Sequence, residues 1–218
     1  MSLANTASRY GSVSQTLHWL TVAMVIALLV SGKVTDIEAD EPGNVPFLWH
    51  GSLGVLVLLL ALARLVWAFA SPSPPLPSTM TRTARLSART MHVALYALLL
   101  ALPLSGWLAA SSEGASVNFF GVVSIPHAPL PNNQVISVGA SGDAVGAKAS
   151  GDGDEEFFEE LHEVLGNALL ILASLHALVA LKHHFFNRDD ILKRMLPQPK
   201  PTPPPDPVRH TASTIRPR

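Results

Sequence analysis

Cysteine is absent from this 218-residue chain, and its absence excludes several kinds of site. Without cysteine the chain cannot form disulfides, hold an iron–sulfur cluster through thiolates, or attach a c-type haem, which needs Cys-x-x-Cys-His. Charged residues are also scarce: they make up 14% of the chain, against about a quarter in a typical soluble domain. Hydrophobic residues make up 48%, and the net charge is −1. The composition predicts a membrane protein in which histidine, methionine or carboxylate must bind any metal or haem, and nine histidines are available.

Four apolar stretches are long enough to cross the hydrocarbon core of a membrane, which takes about 20 helical residues. They run approximately over residues 17–32, 48–70, 90–110 and 161–186. The first follows Arg9 and resembles a signal peptide, but no good small-x-small cleavage site follows it, so we expect it to be retained. The sequence predicts an all-α integral membrane protein built as a four-helix bundle.

Basic residues indicate how the bundle is oriented. They concentrate between the second and third stretches and after the fourth, at Arg82, Arg85, Arg89, Arg188, Lys193, Arg194, Lys200, Arg209, Arg216 and Arg218. The opposite connections hold only Lys33 and Lys148. Because cytoplasmic loops are enriched in lysine and arginine, we expect both termini to face the cytoplasm.

Two segments differ in composition from the bundle, which we assign to residues 1–196. Residues 136–156, rich in glycine, alanine, serine and acidic residues, are predicted to be a flexible insertion in the outer loop. Residues 197–218 form a proline-rich tail that cannot build a packed core, and we predict it to be a disordered cytoplasmic segment.

Four histidines lie at matched depths in the predicted helices. His50 and His162 open the second and fourth stretches on the outer side, and His18 opens the first on the inner side. His176 follows His162 by 14 residues, which is about 21 Å along a helix and just under four turns, so both rings point to nearly one face. His50 can therefore meet His162, and His18 can meet His176. Two axial imidazoles give a six-coordinate haem iron, which moves electrons rather than binding a substrate.

Two glycines near the outer histidines, and the two depths at which the histidines lie, favour a haem over other metal sites. Gly54 and Gly166 each lie one turn beyond an outer histidine on the same face, where a flat porphyrin needs a gap. Such small residues can equally serve close helix packing. A zinc site gathers its ligands at one depth, and a carboxylate-bridged di-iron site needs Glu-x-x-His pairs, so both fit less well.

Together these motifs resemble the prokaryotic cytochrome b561 family over about residues 9–196. They are Leu17-His18-Trp19, His50-Gly51-Ser52-Leu53-Gly54, Met91-His92-Val93-Ala94-Leu95-Tyr96, Ala101-Leu102-Pro103-Leu104-Ser105-Gly106, Leu161-His162-Glu163, Leu175-His176-Ala177 and Lys182-His183-His184-Phe185-Phe186. No single motif is specific, whereas their order and spacing are.

The resemblance implies a four-helix bundle in the bacterial inner membrane with two b-type haems between the helices. It implies His18, His50, His162 and His176 as axial ligands, in agreement with the depth argument, and electron exchange with ubiquinone. One member of the family oxidises superoxide on the outer side and passes the electron to ubiquinone, so a superoxide:ubiquinone oxidoreductase is one implied activity.

The stretch before His162 departs from what superoxide collection requires. It is acidic, with Asp152, Asp154, Glu155, Glu156, Glu159 and Glu160. A negative surface slows the approach of an anion, whereas it can dock a cationic electron carrier; acidic residues also simply complement a helix N-terminus. The periplasmic donor is therefore either superoxide or a soluble redox protein, and in the second case the chain is a cytochrome b electron-transfer subunit.

Three further residues are candidates for binding a haem or the quinone. Arg64 lies 14 residues after His50, near the inner haem, where it can pair with a propionate or reach toward the inner interface. His92 opens the third stretch and can contact a propionate or another helix, or compete with His18 as a ligand. His183 follows His176 by two turns and can bind a quinone carbonyl or relay its proton, or lie solvated among headgroups.

A transporter or small sensor with structural histidines is the rival class. The four stretches lack the glycine and proline breaks typical of transporter helices, which argues against it. We expect no nucleic-acid partner; the expected surroundings are the lipid bilayer, ubiquinone and the periplasmic donor.

Overall fold

The computed structural model describes residues 2–37, 45–76, 80–130 and 152–196. Within these ranges the chain forms four long helices: α1 (Ser12–Ile37), α2 (Val45–Ala70), α3 (Arg82–Ser112) and α4 (Asp152–Lys182). A π-helical turn, His183–Asn187, continues α4. All four helices are long and apolar enough to cross a membrane, which confirms the predicted all-α four-helix architecture. Each helix begins before its predicted apolar stretch, and α1 and α3 also end after it, whereas α2 ends at the predicted Ala70 and α4 ends at Lys182, before the predicted residue 186.

The helices run up and down, with α1 packed on α2, α2 on α3 and α3 on α4. A small core forms where Val57 and Ala61 of α2 meet Leu99 of α3. Many other large apolar side chains point outward, including Val66, which is 68% exposed, and Leu178, which is 63% exposed. Outward apolar surface on every helix is the pattern expected where lipid replaces water as the surrounding medium.

One end of the bundle, which we call the hairpin end, carries a short antiparallel sheet of β1 (Val117–Phe119) and β2 (Val123–Ile125). Phe120 and Gly121 both have positive φ, as the tight turn between twisted strands requires. The hydroxyl of Ser52 on α2 accepts the backbone N–H of Phe120 at 2.9 Å, which ties the hairpin to the helix. The sequence analysis predicted no strand here.

The opposite end, which we call the terminal end, is closed by contacts between the two ends of the described chain. Trp19 donates its indole N–H to the carbonyl of Met195 at 2.9 Å, and Gln15 donates to the carbonyl of Arg194 at 3.3 Å. Arg194 in turn donates to the carbonyl of Pro75, between α2 and α3. The turn at residues 190–196 is thus fixed against the start of α1.

The two segments of distinct composition lie mainly outside the described residues. The whole tail at 197–218 does, as do residues 136–151 of the predicted insertion. Residues 152–156, the remainder of that insertion, are helical and begin α4.

Candidate functional site

Two histidines on different helices face each other at the hairpin end. The ring of His50 on α2 and the ring of His162 on α4 have centroids 6.0 Å apart, with their planes at 81°. Both side chains are half-buried. The structure thus brings together the two residues that the depth argument paired.

Three histidines meet at the terminal end. His18 on α1 lies 6.5 Å from His176 on α4, measured between ring centroids, with the planes at 68°. His92 on α3 is nearer to His176, at 5.3 Å and 77°. Distance alone therefore leaves two partners for His176.

The geometry of metal coordination separates them. Since a metal–imidazole bond is about 2 Å, two nitrogens on opposite sides of one ion, as in a six-coordinate haem iron, lie about 4 Å apart and their ring centroids about 6 Å apart. The His50–His162 and His18–His176 pairs match this separation at 6.0 and 6.5 Å, whereas His92 at 5.3 Å is too close to His176. Among the residues the structure describes, no group of three or more histidine, aspartate and glutamate side chains could hold a metal ion.

Space for a flat group lies beside the hairpin-end pair. A Cβ atom added to Gly54 or to Gly166 would meet no heavy atom of the described chain within 4 Å. Each glycine lies one helical turn from His50 or His162 on the same face. The residues present therefore fit a porphyrin bound between two imidazoles.

Serine hydroxyls contact both rings at the hairpin end. Ser31 Oγ on α1 lies 3.1 Å from His50 Nδ1, and Ser105 Oγ on α3 lies 3.0 Å from His162 Nδ1. The sequence analysis missed both serines. The signal was present, since each is followed by a glycine, at Ser31-Gly32 and Ser105-Gly106, at nearly the depth of the outer histidines.

Arg64 lies directly against the terminal-end histidines. Its Nη2 is 3.3 Å from His18 Nδ1, and its guanidinium stacks over Tyr96 with Cζ 5.4 Å from the ring centroid. Arg64 and Tyr96 also line a cavity of about 50 Å³, together with Ser14 and Trp67. This volume is far below the roughly 300–1,000 Å³ of a typical ligand pocket, so the cavity is not sized for a quinone ring.

His92 and His183 are each held by a local partner. His92 Nδ1 lies 2.7 Å from the carbonyl of Ala88, one turn back on α3. His183 Nδ1 contacts the Asp189 carboxylate across the π-helical turn, with Asn187 at 3.1 Å. In both residues Nδ1 is occupied, which leaves Nε2 as the atom that can contact another group.

Four exposed carboxylates form an acidic face at the start of α4, namely Glu156, Glu159, Glu160 and Glu163. Glu159, Glu160 and Glu163 follow Glu156 by three, four and seven residues, which places all four on one side of the helix. Asp154 and Glu155, from the same acidic stretch, are half-buried and engaged with other residues. The negative surface beside His162 therefore consists mainly of the four glutamates.

Comparison with known proteins agrees with this geometry. A family model described as prokaryotic cytochrome b561 matches residues 9–198. "Cytochrome b561 homolog 2" of Escherichia coli K12 is 36% identical over 199 residues, covering 90% of this chain and 95% of that protein. "Cytochrome b561 homolog 1" of the same organism is 27% identical, over 88% of this chain and 99% of its own length. "Probable superoxide oxidase CybB" of Yersinia pestis is 25% identical, over 87% and 97%.

The match covers almost the whole described bundle, including all five histidines of the two sites. The motif-based resemblance, which spanned residues 9–196, is confirmed. This chain therefore belongs to the prokaryotic cytochrome b561 family, whose members are haem-binding membrane proteins of electron transfer.

Proposed function

We propose that this protein carries electrons across the bacterial inner membrane, from a periplasmic donor to ubiquinone, through two b-type haems. The observation that carries the proposal is the presence of two histidine pairs, 6.0 and 6.5 Å between ring centroids, at opposite ends of one bundle. A single pair would serve one redox centre on one side of the membrane, whereas two pairs along α4 span it.

Each pair has a defined role in this proposal. His50 and His162 bind one haem iron, and His18 and His176 bind the other. When bound, the haems supply one-electron redox chemistry, while the chain supplies geometry and electrostatics. Arg64, beside His18, is suited to pair with a propionate, because a guanidinium binds a carboxylate through two parallel hydrogen bonds.

The orientation follows from charge. Arg82, Arg85 and Arg89 lie on the first two turns of α3, at the terminal end, and are exposed. By the preference of basic residues for the cytoplasmic side, the terminal end faces the cytoplasm and the hairpin end faces the periplasm. Electrons then enter near His50 and His162.

His183 and Asp189 are suited to handle protons at the cytoplasmic end. Reduction of ubiquinone to ubiquinol takes two electrons and two protons. Asp189 accepts the Nδ1 hydrogen of His183, which leaves Nε2 to exchange a proton with a quinone oxygen at the edge of the bundle. The small cavity beside Arg64 is not sized for the ring, whereas a quinone dissolved in the bilayer can reach the edge of the bundle beside His183 from the lipid phase.

Two donors are supported by different observations. The relative named "probable superoxide oxidase" favours superoxide; two superoxide ions, one ubiquinone and two protons would give two dioxygen molecules and one ubiquinol. The acidic face of Glu156, Glu159, Glu160 and Glu163 favours a cationic soluble redox protein, which such a surface attracts. In the second case two successive one-electron transfers reduce each quinone.

Stopped-flow mixing of the oxidised protein with superoxide, with and without ubiquinone, separates the donors. Haem reduction at near-diffusional rates, with ubiquinol formed when quinone is present, supports superoxide. Slow reduction by superoxide, together with fast, salt-sensitive reduction by a cationic cytochrome, supports a protein donor. Replacing Glu159 and Glu160 by lysine is the matched control, since it should accelerate superoxide and slow the cationic carrier.

A further inference from the structure

The same Ser-Gly unit occurs twice at the hairpin end, on two different helices. On α3, Ser105 Oγ is 3.0 Å from His162 Nδ1, and a Cβ on Gly106 would lie 2.9 Å from His162 Cε1. On α1, Ser31 Oγ is 3.1 Å from His50 Nδ1, and a Cβ on Gly32 would lie 3.3 Å from His50 Cε1. In both units the glycine allows the imidazole to approach the backbone, and the serine then reaches Nδ1.

The direction of the hydrogen bond follows from the second contact of each serine. Ser105 Oγ donates to the carbonyl of Leu102 at 2.8 Å, and Ser31 Oγ donates to the carbonyl of Leu28 at 3.1 Å. A hydroxyl has one hydrogen, so with that hydrogen on the carbonyl its oxygen accepts from the histidine. A neutral imidazole carries its single hydrogen on one nitrogen. That hydrogen is therefore on Nδ1, and Nε2 presents a lone pair.

This arrangement has an electronic consequence for an iron bound at Nε2. A hydroxyl that already donates to a carbonyl is polarised and accepts more strongly. An acceptor at Nδ1–H fixes the ring orientation and makes the ligand more basic. A more basic axial ligand stabilises ferric over ferrous iron, so it lowers the reduction potential.

The terminal end is built differently. There, His18 Nδ1 faces Arg64 Nη2 at 3.3 Å, and a guanidinium can only donate. Arg64 therefore gives His18 no acceptor. In the proposed haem-bound state Arg64 pairs with a propionate, which leaves Nε2 of His18 for the iron, and its positive charge favours the iron with one more electron. The serines lower the reduction potential at the hairpin end and Arg64 raises it at the terminal end, so both differences make the potential increase from the hairpin end to the terminal end.

We propose that Ser31 and Ser105 are positioning residues that lock His50 and His162 in the Nδ1–H tautomer and lower the potential of the haem at the hairpin end. This inference rests on the bis-histidine haem proposed there. It gives the electron a downhill path from the hairpin end to the terminal end, which is the direction from a periplasmic donor toward quinone.

Redox titration of the purified full-length holoprotein tests the inference, because the two haems titrate as two components. Ser31→Ala and Ser105→Ala should each raise the potential of one and the same component, although they lie on different helices. If each serine favours the ferric form about tenfold, the shift is about 59 mV for a one-electron couple. The affinity for that haem should also fall, by about 10- to 100-fold.

Two controls separate positioning from general stability. Ser31→Thr keeps the hydroxyl and should keep the wild-type potential. Ser52→Ala removes another buried serine near the hairpin end, which accepts the Phe120 N–H and has no contact with a histidine ring among the hydrogen bonds of the described residues. It should lower thermal stability and leave both potentials unchanged. Ser31 is half-buried, so Ser31→Ala carries the test if Ser105→Ala does not fold.

Different results would contradict this inference and the proposed function. Two b-type components with unchanged potentials in Ser31→Ala, or shifts of different components by the two serines, would overturn this inference and leave the proposed function standing. Loss of b-type absorbance from the wild-type protein would overturn the proposed function itself.

Discussion

Gly106→Ala is expected to expel the haem of the hairpin-end pair while leaving the bundle folded. A Cβ at position 106 would lie 2.9 Å from Cε1 and 3.2 Å from Nδ1 of His162, closer than ordinary van der Waals contact. The ring can move away only if it breaks its contact with Ser105, which lies beside Gly106 on α3. The methyl group therefore pushes His162 away from the position in which it faces His50.

The expected magnitude follows from the cost of overpacking, about 1–3 kcal/mol. At about 1.4 kcal/mol per tenfold, this corresponds to a loss of about 5- to 140-fold in affinity for that haem. Replacing a helical glycine by alanine returns about 1 kcal/mol through helix propensity. The thermal stability of the haem-depleted bundle should therefore change little, although haem is lost.

The assay measures haem per chain by alkaline pyridine, and haem loss by transfer to an excess of apo-globin. Gly32→Ala and Gly153→Ala complete a graded series. A Cβ at Gly32 would lie 3.3 Å from His50 Cε1, which predicts a smaller loss, whereas a Cβ at Gly153 meets no described atom within 4 Å and predicts none. Equal haem loss in all three variants, or full haem affinity in Gly106→Ala, would refute the steric reasoning.

Three further predictions address the porphyrin gap, Arg64 and the proton path. Gly166→Leu extends into space that no described protein atom occupies within 4 Å of a Cβ; it should lower haem content without destabilising the haem-free bundle, and unchanged haem content would mean that no porphyrin lies there. Arg64→Leu should lower the reduction potential of the terminal-end haem, by about 59 mV for each tenfold change in the preference for ferric iron, and Arg64→Lys should lower it less. If redox titration finds no shift in Arg64→Leu, Arg64 does not act on that haem. Asp189→Asn should slow ubiquinol formation by about 10²- to 10⁴-fold without changing haem content or reduction by dithionite. The control is Asp190→Asn, which should not slow ubiquinol formation, because Asp190 pairs with Lys193 on the surface. Equal rates of ubiquinol formation in both variants would contradict the proton role of Asp189.

The helices and the histidine pairs could be predicted because both depend on distance along one chain. A run of about 20 apolar residues specifies a membrane-spanning helix whatever its neighbours are. The 14-residue separation of His162 and His176 likewise fixes their spacing along α4 before any partner is known. Alternation of the helices then places His50 at the end with His162 and His18 at the end with His176.

The contacts between neighbouring helices could not be predicted, because they depend on which helices are neighbours and how they rotate; the Ser-Gly pairs mark two positions but not their partners. Ser31 and Ser105 touch histidines on the following helix, at contacts set by close approach at Gly32 and Gly106. The sequence predicts that His92 can compete with His18, but which of the two faces His176 at the separation of a pair depends on distances that the sequence does not give.

Short-range structure outside the helices was missed for a different reason. The strands β1 and β2 have three residues each, too few for alternation to stand out from the surrounding loop. The terminal end was likewise hidden, since the bonds from Trp19 and Gln15 go to backbone carbonyls about 180 residues later, at Met195 and Arg194. Every residue carries a backbone carbonyl, so the amino-acid sequence does not show which one accepts a hydrogen bond.

A dithionite-reduced minus oxidised spectrum, with haem and protein quantified on the same sample, tests the central claim most directly. Two bis-histidine sites predict a b-type spectrum with two haems per chain, falling to one in His50→Ala and, at the other end, to one in His176→Ala. A protein that folds in the membrane with no b-type band, or that loses both haems or neither in each single variant, would contradict two independent bis-histidine sites.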